Sequence, residues 1–110
     1  MRYTLILIAL AGCTPYTTGD KIAFGAMTLA AWADYETTNR YIGIGGTEAN
    51  PFLDDRPSRD DVALFKLSGL AVGVLLGEIW PDSREEIFWT LAAVSGGAAA
   101  WNDRLYERYK

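Results

Sequence analysis

The sequence predicts an all-α fold: a three-helix membrane-associated bundle over about residues 20–42, 60–80 and 83–109, after an N-terminal signal segment. Three observations carry this expectation. Helical segments are closed by glycines at 43–46 and by Pro81, the residues that most readily end a helix. No segment shows the alternation of a half-buried strand. Half of the 110 residues are hydrophobic and 11 are glycine, an apolar, small-residue-rich composition. A chain of this length makes one domain.

The first helix starts near Asp20, after the turn-prone Thr17-Thr18-Gly19, and runs to about Tyr41; Gly43, Gly45 and Gly46 stop it. A polar connection from Thr47 to Arg59 contains Pro51 and Pro57. Ser58 with Asp61 three residues on resembles a capping box and opens the second helix, Asp60 to Trp80. Asp82-Ser83-Arg84-Glu85 predicts a second capping box and a third helix to about Tyr109. The short link at Pro81 sets helices two and three antiparallel.

Val62 to Trp80 is just long enough to cross a hydrocarbon core of about 30 Å. Lys66 and Glu78, near its ends, are placed to reach the interfaces. Gly69, Gly73 and Gly77 lie four apart and predict a bare groove for close helix packing. Ala92, Gly96 and Ala100 repeat the spacing on helix three, and Ala26 and Ala30 on helix one. The alternative is a lipid-tethered soluble or interfacial bundle. Aromatics gather at the helix ends: Trp80 and Trp89 toward one side, Trp32, Tyr35, Tyr41, Trp101 and Tyr106 toward the other. The second side also holds most of the Arg and Lys, including Arg40, Arg56, Arg59 and Arg104, which predicts that it faces the cytoplasm.

At the N-terminus, Arg2 and the apolar run Tyr3 to Ala11 have the layout of a secretory signal. Leu10-Ala11-Gly12-Cys13 resembles the bacterial lipobox. The resemblance implies a signal peptide over 1–12, a diacylglycerol on the Cys13 thiol, a short tether over 13–19 and a single helical domain over 20–110. It implies the bacterial cell envelope, with Cys13 on the outer side. Thr14 is not the Asp that retains many such proteins in the inner membrane, yet the apolar helices favour that membrane.

A polar constellation gathers at the cytoplasmic side. Asp34, Thr37, Thr38 and Tyr41 share one helical face, and an antiparallel arrangement brings Lys66, Asn102, Asp103, Glu48 and Asn50 to the same level. An Asp34–Lys66 pair avoids two lone charges in a low-dielectric site. Such a cluster is either a polar lock on helix register or a ligand or catalytic site. The pattern Asp34-x-x-Thr37-Thr38, Glu48-x-Asn50-Pro51, Lys66 and a late Asn102 is similar to a group of small, uncharacterised multi-helix membrane proteins of bacteria and phages. The resemblance runs from about Trp32 to Asn102; it implies a membrane bundle, marks Asp34, Thr37, Thr38, Glu48, Asn50, Pro51 and Lys66 as its signature, and implies no reaction.

Other chemistries are excluded by composition. The net charge is -4, against nucleic acid as a partner. With no histidine, Ser-His and Cys-His arrangements are absent. One cysteine and no histidine make zinc a poor fit, and no metal or cofactor is expected. Asp54, Asp55, Asp60 and Asp61 lack the spacing of a calcium loop. Gly43-Ile44-Gly45-Gly46 lacks the Lys-Ser/Thr of a phosphate loop. The expected function is a small, non-enzymatic envelope lipoprotein with a structural or protein-interaction role. Its partners are the lipid bilayer and either a second copy or another envelope protein. Two alternatives are a phage-encoded factor in lysis or superinfection exclusion, and a membrane-embedded enzyme or transporter-like protein using Asp34, Glu48, Asn50 and Lys66.

Overall fold

A computed structural model describes residues 14–48 and 50–110 of the chain. These residues form an all-helical, three-helix bundle with no strand among them: α1 (Thr18–Gly43), α2 (Arg59–Ile79) and α3 (Arg84–Tyr109), with a 3-10 turn, Pro81–Ser83, joining α2 to α3. The predicted signal peptide and Cys13 lie outside the described residues.

Local chemistry sets each boundary. Thr17, rather than the Asp20 region, is the first cap. Its hydroxyl accepts from the Asp20 N–H while the Asp20 carboxylate accepts from the Thr17 N–H, both at 3.0 Å, a complete capping box. At the other end of α1 the chain turns on Gly45, whose φ of 99° is costly for any residue with a Cβ. Ser58 caps α2 through its hydroxyl, which accepts from the Asp61 N–H at 3.1 Å. The expected capping box of Asp82 and Glu85 does not form, because Asp82 lies inside a 3-10 turn and the cap position falls to Ser83. Pro81–Ser83 are wound into a 3-10 turn, so Ser83 has φ -106° and ψ 7° instead of the extended backbone a cap requires, and its side chain makes no cap hydrogen bond.

α1 and α3 run parallel and make the main interface; α2 runs antiparallel and lies more loosely against both. The core is small. Ala23, Met27, Phe88 and Ala92 form its centre, with Leu70, Val74 and Leu91 packed around them. The Phe88 ring meets Tyr16 and Phe24, each with centroids 5.8 Å away. Gly73 and Gly77 are where α2 comes close. A Cβ on Gly73 would lie 2.6 Å from a Leu91 methyl, and one on Gly77 2.9 Å from Arg84 Cγ.

The small-residue stripes therefore divide. Gly73, Gly77 and Ala92 pack within the bundle, whereas Gly69 and Gly96 have open space beside them and Ala100 is exposed. On α3 it is Ala99, not Ala100, that is buried, because the parallel contact with α1 selects a face one residue away. Large apolar side chains stay outside: Leu64, Leu67, Val72, Leu75 and Ile79 on α2, and Trp32, Trp80, Trp89 and Trp101 elsewhere, are all exposed.

Candidate functional site

Two buried polar clusters occupy opposite ends of the bundle. The first is built on Asp34, in the second half of α1. Its Oδ2 accepts from Lys66 Nζ of α2 at 2.7 Å. Its Oδ1 accepts from the Thr38 hydroxyl and from Asn102 Nδ2 of α3, each at 3.2 Å. Asn102 also donates to the hydroxyls of Thr38, at 2.9 Å, and Thr37, at 3.3 Å. Thr37 donates back to the Ala33 carbonyl at 2.8 Å, which fixes its rotamer. One carboxylate thus ties three helices at one level, and Asp34 is buried. Lys66 turns inward to Asp34, forming the pair the sequence suggested.

The Glu48-x-Asn50-Pro51 segment organises the loop between α1 and α2. Glu48 donates its N–H to the Asp55 carbonyl at 2.7 Å and accepts the Asn50 N–H on Oε1 at 3.0 Å. The Asn50 side chain then accepts from the Phe52 N–H at 3.0 Å, an Asx turn with Pro51 at its centre. Phe52 stacks on Phe65 and anchors the loop to α2. Glu48, Asn50, Asp34, Lys66 and Asn102 all border one cavity of about 460 Å³, which continues between α2 and α3 over Leu70, Leu91, Val94 and Trp101. Thr37 and Thr38 back the cluster without lining it, and Asp103 points elsewhere, 3.8 Å from Arg40. Of the six predicted helix-packing positions on α2 and α3, Gly69 borders this cavity; Gly73, Gly77, Ala92, Gly96 and Ala100 do not.

The second cluster was not anticipated. Arg84 is fully buried at the start of α3. Its guanidinium meets Asp20 at 3.3 Å and Glu78 at 3.5 Å, donates to the Gly77 carbonyl at 3.1 Å, and reaches the carbonyls of Thr14 at 3.2 Å and Pro15 at 3.3 Å. Its plane lies 4.2 Å from the Tyr16 ring centre. Glu78 therefore also turns inward rather than toward an interface. The Thr17 N–H, above all, and then the Arg84 guanidinium hold the Asp20 carboxyl below its ordinary value, against the opposing effect of burial. Burial pushes the Tyr16 hydroxyl above its ordinary range, only partly offset by Arg84. One signal in the sequence pointed here: Thr17-x-x-Asp20 has the spacing of a capping box, which places an acid at a helix start beside the α2–α3 corner.

The two clusters are about 21 Å apart along α1, from Asp20 to Asp34 at 1.5 Å per residue. Between them α1 carries only apolar and small side chains apart from Lys21 and Thr28. No family model, no curated protein and no solved structure matches this chain.

Proposed function

We propose that this chain is a small, non-enzymatic lipoprotein of the bacterial envelope that works as a membrane-resident structural or interaction module. The observation that carries the proposal is α2. Arg59–Ile79 is long and apolar enough to cross a membrane, yet only 17% of its apolar window is buried inside the bundle. A soluble bundle buries such a helix; one left with most of its apolar surface uncovered is matched by lipid or by another helix. The exposed tryptophans support the same reading, with Trp80 and Trp89 near the Arg84 end and Trp101 near the Asp34 end, as an interfacial belt requires.

The tether fits the lipoprotein reading. Arg84 grips the carbonyls of Thr14 and Pro15, the residues that directly follow Cys13. A lipid on Cys13 would then enter the bilayer beside the α2–α3 corner, at the end opposite the loop of Glu48 and Asn50. Two acyl chains together with an apolar bundle make a stable anchor, where one chain alone binds weakly.

The test is fatty-acid labelling of wild type and Cys13→Ser in cells, followed by separation of inner and outer membranes. Cys13-dependent label in the inner membrane supports a lipidated, membrane-resident bundle. Cys13-dependent label confined to the outer membrane moves the bundle to the periplasmic face. Absence of label in both removes the lipoprotein half of the proposal, and extraction of the chain by alkaline carbonate removes the membrane-resident half.

A further inference from the structure

The cavity between α2 and α3 has an unfinished polar end. The Asp34 carboxylate is satisfied by Lys66, Thr38 and Asn102. Lys66 Nζ carries three protons, and only the one given to Asp34 has an acceptor among the described residues. Glu48 Oε1 accepts from Asn50, but its Oε2 is buried with no hydrogen-bond partner among the described residues. A buried carboxylate oxygen left unpaired is costly, so the site is poised to accept a proton donor. The Lys66 ammonium borders the same cavity and has protons left for a further acceptor. A hydroxyl group meets both needs at once, accepting from Lys66 and donating to Glu48.

Charge narrows the choice. Asp34 already neutralises Lys66, so Glu48 leaves the polar end with one net negative charge, which disfavours a carboxylate or phosphate head. The rest of the cavity is apolar apart from Ser95, over Met27, Leu70 and Leu91 with the exposed Val94 at its rim. Along α3 it spans Leu91 to Asn102, about 16 Å at the helical rise. Its volume of about 460 Å³ falls in the usual range for small-molecule sites, about 300–1,000 Å³. The geometry points to a binding site for a single-chain lipid with an uncharged, hydroxyl-bearing head, of the monoacylglycerol type. Its hydroxyl sits between Lys66 and Glu48 and its chain lies along Leu70, Leu91 and Val94. The inference rests on the membrane-resident reading only for the source of the lipid.

The test uses the full chain in phosphatidylcholine nanodiscs and a monoacylglycerol with a photoreactive diazirine in its acyl chain. Labelled residues are mapped after irradiation. Saturable labelling at Met27, Leu70 and Leu91, displaced by monooleoylglycerol, is expected. Glu48→Gln, which keeps the Oε1 contact but replaces the free acceptor with a donor, weakens displacement about tenfold. Gly69→Leu blocks labelling by filling the cavity; open space beside Gly69 lets the bundle accept it. Labelling only at outward positions such as Leu67, Val72 and Leu75 overturns the inference while leaving the membrane-resident reading in place. Displacement as effective by oleate or by oleylamine also overturns it, since either would assign the polar end to a charged head. A chain that does not enter nanodiscs at all fails on the membrane reading instead.

Discussion

Arg84 shows how much one buried side chain can organise. Its guanidinium satisfies two carboxylates and three carbonyls, and those partners come from the tether, α1 and the end of α2. Arg84→Met leaves Asp20 and Glu78 buried without a cation, and is expected to cost about 3–5 kcal/mol in thermal or denaturant unfolding. Arg84→Lys recovers only part of that, because an ammonium cannot span the same fork of acceptors. Asp20 gives this end a pH dependence. Its carboxyl is held below the ordinary value of 3.8, so the stability it contributes is complete above that value and is lost as pH falls through the lower, folded-state value. Wild type should lose stability on acidification below about pH 4, and Asp20→Asn should start less stable and lose less over the same window. An unfolding series at decreasing pH measures both slopes.

At the scale of the helices, the question is whether the Asp34–Lys66 tie is a lock or a working site. Removing either partner alone leaves a buried charge unpaired: Asp34→Leu or Lys66→Met should each destabilise by about 3 kcal/mol or more. The double variant Asp34→Leu/Lys66→Met removes both charges and should recover most of that loss. A double variant that folds as well as wild type but no longer binds monoacylglycerol separates the two roles. The α2 glycines make a second element-scale contrast. Gly73→Ile forces side chain into Leu91 and Met27 and should cost about 1–3 kcal/mol by overpacking the bundle itself. The close packing at Gly73 is made within the chain, by Leu91 of α3 and Met27 of α1. Gly69→Ile meets open space and should leave monomer stability nearly unchanged, as circular dichroism on heating would report.

For the whole molecule, the balance between a thin core and an apolar exterior decides where it resides. The bundle measures 48 × 31 × 17 Å, and the 17 Å dimension leaves little interior for three helices to share. Leu75 lies on the outward face of α2, well inside the apolar stretch. If that face meets hydrocarbon, Leu75→Arg costs about 2.5–3.5 kcal/mol of insertion free energy and shifts the chain from the membrane fraction to the soluble one or to degradation. Unchanged membrane retention with better solubility would place the face in water and sink the membrane-resident proposal. Fractionation of cells expressing each form reads the difference.

Helix number, order and approximate ends were legible in the sequence because they depend on local rules. Glycine and proline end helices, Ser58 and Thr17 offer capping hydroxyls, and apolar runs of this length favour helices among themselves. The convergence of Asp34, Thr38, Lys66 and Asn102 was legible too, since up-down-up connectivity alone brings those levels together. Tertiary packing decided the rest. The tight 3-10 corner removed the expected Asp82–Glu85 capping box, and the parallel α1–α3 contact chose Ala99 over Ala100. The same packing left Gly69 open while closing over Gly73 and Gly77, and drew Glu78 and Arg84 inward to form a cluster. Side-chain spacing along a helix states which residues share a face, but which face a neighbour covers depends on how closely whole helices approach. That approach is set by the sizes of all the contacting side chains together, a quantity no single stretch of sequence contains.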